Sequence, residues 1–150
     1  MRKAAAALAA LGLAVLGVSA TATTAHAGPI CNSKWPDSRD GMVRAWDGFD
    51  CQGTYLGGTQ GSDPFWGDSS GAFRGSDNNR ASSVMNSGYI GDLDIVAFYR
   101  LSNYGGGYAC LAPGEYYADN LSDNSFTGDY PANNNISSHR WVNGCSNLLT

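Results

Sequence analysis

Short runs of apolar and aromatic residues, each bounded by glycine, asparagine or aspartate, recur along the chain from about residue 42 onward. Met42–Trp46, Val84–Asn86, Ile95–Tyr99, Tyr108–Leu111 and His139–Asn143 read as β-strands on this ground. In the run Ile95, Val96, Ala97, Phe98, Tyr99 both alternating sets are apolar. Successive side chains of a strand point to opposite faces, so this strand is expected to be covered on both sides, as in a sandwich. No apolar set recurs at helical spacing for more than a turn, and eighteen glycines and twelve asparagines after residue 27 break every window. Ser102–Gly107 and Asp47–Gly53 carry hairpin-turn chemistry, because glycine and asparagine take positive φ at little cost. Gly57–Asp77 and Ala112–Ala132 are expected to be packed irregular loops, given their aromatic residues, and Gly88–Asp94 a connector between two halves.

The pattern repeats. Asn78-Asn79-Arg80-Ala81-Ser82-Ser83 and Asn133-Asn134-Asn135-Ile136-Ser137-Ser138 both read Asn-Asn-x-x-Ser-Ser and lie 55 positions apart. Each follows an aromatic residue with a glycine seven positions later, Trp46 to Gly53 and Tyr99 to Gly106. The near-constant offset predicts two related β units packed as one body.

The amino terminus reads differently. Arg2 and Lys3 precede an apolar run, Ala4 to Val18, and Ala25-His26-Ala27 has the small-x-small form of an export cleavage site. Residues 1–27 are therefore read as a secretory signal peptide, and 28–150 as one domain. A membrane anchor fits poorly, because the run is short and interrupted by Gly12 and Gly17. The remaining 123 residues hold seven basic and thirteen acidic side chains. That acidic balance, with scattered arginines, argues against nucleic acid and membrane partners. All four cysteines lie beyond residue 27, and an even count in a small exported chain reads as two disulfides. Three pairings are open to four cysteines. Cys31–Cys51 with Cys110–Cys145 is favoured because it places one bridge in each half of the repeat.

These motifs resemble the βγ-crystallin superfamily, whose Greek-key unit carries an aromatic-x6-Gly hairpin and a later serine that ties it down. Tyr99 to Gly106 is a close match, with Tyr104 at the intermediate aromatic position; in Trp46 to Gly53 that position holds Cys51. The resemblance implies an all-β, βγ-crystallin-like sandwich of two Greek-key motifs, at about 42–87 and 95–143. Ser83 and Ser138 would be the tying serines. The two hexapeptides are similar to the calcium-binding motif of microbial crystallins. Carried over, one Ca2+ site would use Asn79, Arg80 and Ser82 with the carbonyl near Leu101. The other would use Asn134, Asn135 and Ser137 with the carbonyl near Gly48. Neutral asparagines stand where aspartates could, so affinities near ~10⁻⁴–10⁻³ M are expected.

The cysteine-bearing ends and the segment Asn135–Val142 are further similar to the small secreted actinobacterial proteins grouped with the Streptomyces metalloproteinase inhibitor. That likeness implies a secreted, monomeric, non-catalytic inhibitor of an extracellular zinc metallopeptidase. The family's short disulfide loop beside its reactive bond has no counterpart in the cysteine spacing here. The alternative is a calcium-stabilised extracellular structural or envelope protein. Asp63–Gly67 and Glu115–Tyr117 are the aromatic-bearing segments where a contact surface would be sought, although most of their rings are expected to cover the ends of a small core. Catalysis finds no support: beyond residue 27 His139 is the lone histidine, and no serine stands in a nucleophile-elbow context.

Overall fold

The computed structural model describes residues 28–150; the export segment expected over 1–27 lies outside them. A six-residue helix, α1 (Pro29–Lys34), leads into nine strands. These are β1 (Met42–Trp46), β2 (Tyr55–Thr59), β3 (Ser83–Ser87), β4 (Ile95–Leu101), β5 (Gly105–Leu111), β6 (Tyr117–Ala118), β7 (Ser125–Phe126), β8 (Tyr130–Pro131) and β9 (Ser138–Val142). All strand pairs are antiparallel. One sheet has the order β2-β1-β3-β6 and the other β5-β4-β9, with β7 and β8 forming a separate ribbon.

The two sheets exchange segments. The first hairpin, β1–β2, is followed by a crossing at Asp63 that bridges to His139 of β9 in the opposite sheet. The chain then returns as β3 beside β1. The second half repeats this path. Hairpin β4–β5 is followed by β6, which pairs with β3 of the first sheet through Val84 and Ala118, before β9 returns beside β4. The two crossings are themselves related by the 55-residue offset, since Asp63 and Ala118 are that far apart. Both hairpins carry a register shift beside the motif aromatic, just before Trp46 in the first and just after Tyr99 in the second. This is a Greek-key path taken twice, each unit lending its third element to its twin.

One apolar core lies between the sheets and draws on both halves, from Val43, Leu56, Trp66 and Phe73 to Val96, Phe98, Leu111, Phe126 and Ile136. Strand β4 is covered on both faces. Val96 and Phe98 enter that core, while Ala97 and Tyr99 pack outside it with Tyr104, Tyr108 and Val142. The disulfides join Cys31 to Cys51 and Cys110 to Cys145. Among the described residues no helix is long and apolar enough to cross a membrane.

Two segments differ from the sequence expectation. Gly57–Thr59 belongs to β2 instead of to a loop, and Ala112–Ala132 contains β6, β7 and β8. In β2 a side chain at Gly57 would lie 2.6 Å from the Ala72 carbonyl, and one at Gly58 would lie 2.2 Å from the Tyr55 hydroxyl. Glycine is at 57 because the chain at Ala72 crosses the strand closely, and at 58 because the strand's own Tyr55 side chain folds over it, which erases the apolar alternation that marks a strand.

Candidate functional site

The hexapeptides meet across the pseudo-twofold axis. The Ser82 amide donates to the Trp46 carbonyl (2.8 Å) and the Ser137 amide to that of Tyr99 (2.9 Å), so each serine stays with its own hairpin. Next to them the Ser83 hydroxyl donates to the Gly48 carbonyl and accepts from the Cys51 amide, at 2.7 and 3.0 Å. The Ser138 hydroxyl does the same with the Leu101 carbonyl and the Tyr104 amide, at 2.7 and 3.1 Å. Trp46 and Tyr99, Gly48 and Leu101, Cys51 and Tyr104 thus hold equivalent places. Gly53 and Gly106 close the two turns with φ of 71° and 73°, a region open to glycine.

Asn79 and Asn134 also match, with φ of 56° and 57°. Asparagine tolerates this left-handed turn better than most residues. The turn sends each segment toward the other copy. The Asn79 amide donates to the Ile136 carbonyl and the Asn134 amide to the Ala81 carbonyl, both at 2.9 Å. The side chains follow. The Ser82 hydroxyl donates to Asn134 Oδ1 at 3.3 Å, and the Ser137 hydroxyl to Asn79 Oδ1 at 3.0 Å. Asn79 and Asn134 lie exposed, at two open corners.

The grouping therefore differs from the one expected within each hexapeptide. Ser82 faces Asn134, not Asn79, and Ser137 faces Asn79, not Asn134. The Leu101 carbonyl sits beside the second copy and the Gly48 carbonyl beside the first. The cause is the backbone: hairpin pairing fixes the serines, while the left-handed asparagines carry their amides across the axis. Arg80 and Asn135, the third residues, diverge. Arg80 reaches back to the Asp47 carboxylate of the first hairpin at 2.5 Å, whereas Asn135 Nδ2 donates to the Asn133 carbonyl at 2.8 Å. Asp47 is held below the usual carboxylate range, first by the Thr54 amide and also by Arg80.

These oxygens can be tested against calcium. With Ca–O distances of about 2.3–2.6 Å, two ligands at roughly a right angle lie a little over 3 Å apart. The two serine–asparagine oxygen pairs have that spacing. Asn78 Oδ1 and Asn133 Oδ1, the first side chains of the two copies, are buried and have no hydrogen-bond partner. The donor set fits a hard cation in kind, but every member is neutral, and no cluster of three or more acidic, histidine or cysteine side chains exists among the described residues.

The two aromatic-bearing segments are largely packed. Trp66 is fully buried, stacked on Phe73 at 4.0 Å, and Asp63 is buried in the crossing. Tyr117 is buried in β6, whereas Tyr116 is 49% exposed and stacks on Trp35. At Trp66 and Tyr117 an aromatic on a loop signalled core, because the crossings must fill the space between sheets, as the sequence reading allowed for most of these rings. His139 is likewise core. Its Nδ1 accepts from Trp66 Nε1 at 2.8 Å, its Nε2 lies 3.1 Å from the Gly61 carbonyl, and burial pushes its pKa down to about 4. It stays neutral and out of reach of any substrate.

The connector carries the most exposed large apolar side chains among the described residues. Tyr89, Ile90 and Leu93 are 63%, 66% and 60% exposed. Its ends are held by buried Asn86, whose Nδ2 donates to the Asp94 carbonyl (2.8 Å) and whose Oδ1 accepts from the Gly88 amide (2.9 Å). Arg39 adds a bond to the Gly88 carbonyl at 2.9 Å, and the Gly91 amide donates to the Asp94 carboxylate at 3.1 Å. A depression of about 310 Å³ opens beside the loop between Gly41, Gln60, Leu93 and Trp141. Sequence reading missed this surface. The apolar pair Tyr89-Ile90 between two glycines was the available signal.

No protein-family model matches the chain, and no curated protein matches it. Solved structures do. A βγ-crystallin from an archaeon is 26% identical over 67% of this chain and 96% of its own, with a TM-score of 0.46. A structure bearing on the evolution of the eye-lens βγ-crystallin domain fold is 17% identical over 74% of this chain and 93% of its own, with a TM-score of 0.50. A βγ-crystallin from Ciona intestinalis is 17% identical over 67% and 99%, with a TM-score of 0.46.

Proposed function

Starting from its βγ-crystallin fold, all-β with two Greek-key units, we propose that the chain is a secreted, non-catalytic inhibitor of an extracellular zinc metallopeptidase. The connector at residues 88–94 is its contact loop. One observation carries this reading: three large apolar side chains point into solvent from a segment whose ends are fixed by a buried asparagine and an arginine. A loop held in its bound shape loses little entropy on binding, and exposed bulky side chains are what an apolar substrate pocket grips. The two disulfides and the export-type amino terminus agree with an extracellular setting.

The test is titration of the mature protein against a panel of thermolysin-type endopeptidases. Stoichiometric loss of activity is expected with at least one. Ile90→Asp with Leu93→Asp should weaken inhibition by about 30-fold or more. The melting temperature should not move, because both side chains are mostly solvated. Full inhibition by the double variant would place the contact elsewhere, and no inhibition across the panel would end the reading.

A second reading, weak calcium binding, is favoured by the paired serine–asparagine oxygens and the orphaned Asn78 and Asn133 carbonyls. Ser82 with Asn134 and the Gly48 carbonyl would hold one ion; Ser137 with Asn79 and the Leu101 carbonyl would hold the other. Calcium bound there would neutralise oxygen dipoles and tie the halves together. Millimolar calcium should then raise the melting temperature by mass action on the folded state. Ser82→Ala with Ser137→Ala should abolish the gain; an undiminished gain would clear these corners of ligand duty.

A further inference from the structure

We propose that export processing completes this fold: cleavage after Ala27 frees the Gly28 α-amino group beside the Asp119 carboxylate, and the new ammonium forms an ion pair that the precursor lacks. The inference rests on the export reading of residues 1–27 but not on the inhibitor assignment.

Gly28 is buried where three parts of the chain converge. A side chain there would start 2.7 Å from Asp119 Oδ2 and 2.0 Å from Asp50 Oδ1, so residue 28 lies in the gap between two carboxylates. Asp50 is already committed. It caps α1, accepting from the Ile30 amide at 3.0 Å and the Cys31 amide at 2.9 Å. Its own amide donates to the Asp119 carbonyl at 2.7 Å, which locks the two acidic residues side by side. Asp119 has no cationic partner among the described residues, where the ion pairs are Arg44–Asp40 and Arg80–Asp47.

Every other group near the gap is neutral or negative, or faces away. Asp123 adds to the acidic field, and the Tyr117 phenol stays neutral, its pKa raised by burial and by Asp119, Asp50 and Glu115. Lys34, the basic residue of α1, is turned to the Cys51 carbonyl and the Trp46 ring. Burial raises the pKa of Asp119, the Asp50 charge raises it further, and the Gly28 N–H draws it down. A cation delivered at the Gly28 nitrogen is the charge this place lacks.

Processing delivers it. Hydrolysis of the Ala27–Gly28 peptide bond by a signal peptidase consumes one water. Its hydroxyl goes to the Ala27 carbonyl carbon and a proton to the Gly28 nitrogen, which takes up a further proton from solvent at neutral pH. In the precursor the same nitrogen is an uncharged amide. The charge also reaches α1, because Asp50 holds that helix and Cys31 tethers it over Trp46.

The experiment compares the exported protein with the same chain acetylated at Gly28. In the free form NMR titration should place the α-amino pKa about one unit or more above its ordinary ~7.7–8.0. Asp119→Asn should return it toward that range. Acetylation should lower the melting temperature by about 4 °C or more in the parent and by much less in Asp119→Asn. If Asp119→Asn does not fold, the α-amino pKa of the parent decides alone. An ordinary pKa, equal melting of free and acetylated chains, or an exported chain that starts elsewhere would overturn the proposal. None of those results touches peptidase inhibition.

Discussion

His139 shows how one residue's chemistry is set by where the chain puts it. Its Nδ1 must stay unprotonated to accept the Trp66 indole proton, and its surroundings are Phe73, Phe98 and Trp66. Burial therefore lowers its pKa from 6.5 to about 4. The unfolded chain takes up a proton on this ring below pH 6.5 while the folded chain does not, so stability falls as pH drops from about 6.5 toward 4. The full effect is about 3 kcal/mol at one pKa unit per 1.36 kcal/mol. Asp63, whose pKa burial raises, works in the opposite sense near the bottom of that window, so the upper part is the cleaner test. Melting temperatures between pH 6.5 and 5 should decline in the parent and flatten in His139→Gln, which keeps an acceptor for Trp66. An equal decline in both would assign it to another group. The sequence showed His139 as the lone histidine beyond residue 27, and its strand position was legible. Its burial was not, because the partners Trp66 and Gly61 are 73 and 78 positions away.

At the level of elements, the long strands were readable because each carries its own pattern. Ile95–Tyr99 alternates between two apolar faces, and the structure covers both. The elements that escaped are those made by tertiary contact. β6 is two residues long and exists because β3 offers it an edge. Helix α1 has only Pro29 as a local start signal; its cap is Asp50, 20 positions from Ile30, and Cys51 ties it down. In the first half that bridge secures a cover over Trp46, Met85 and Tyr117. At the equivalent hairpin position of the second half stands Tyr104, and Arg140 lies over the Tyr99 and Tyr104 rings instead. Replacing Cys31 and Cys51 by serine should thus release α1 and cost about 2–4 kcal/mol in denaturant unfolding, with faster quenching of tryptophan fluorescence as Trp46 is uncovered. A loss below about 1 kcal/mol would mean that α1 holds its place through Asp50 alone.

Over the whole molecule, the exchange of crossings decides how the halves depend on each other. The hexapeptide repeat announced two units, and the hairpin geometry follows its period. The exchange itself was not in the repeat, since either pairing of β6 gives the same sequence pattern. In the folded chain β6 of the second half completes the first sheet, and Asp63 of the first half bridges into the second. The cross-axis amide bonds of Asn79 and Asn134 and the shared core add to this coupling. Opening one unit would strip the other of a sheet neighbour, of its corner and of its partners in the shared core, so neither half is expected to be stable on its own. Unfolding of the disulfide-intact chain should then be one transition. The near-ultraviolet signal of Trp66, the backbone signal and calorimetry should give coincident midpoints, with equal calorimetric and van't Hoff enthalpies. Two resolved transitions would show that the units fold independently and that the exchanged segments contribute little, despite their bonds.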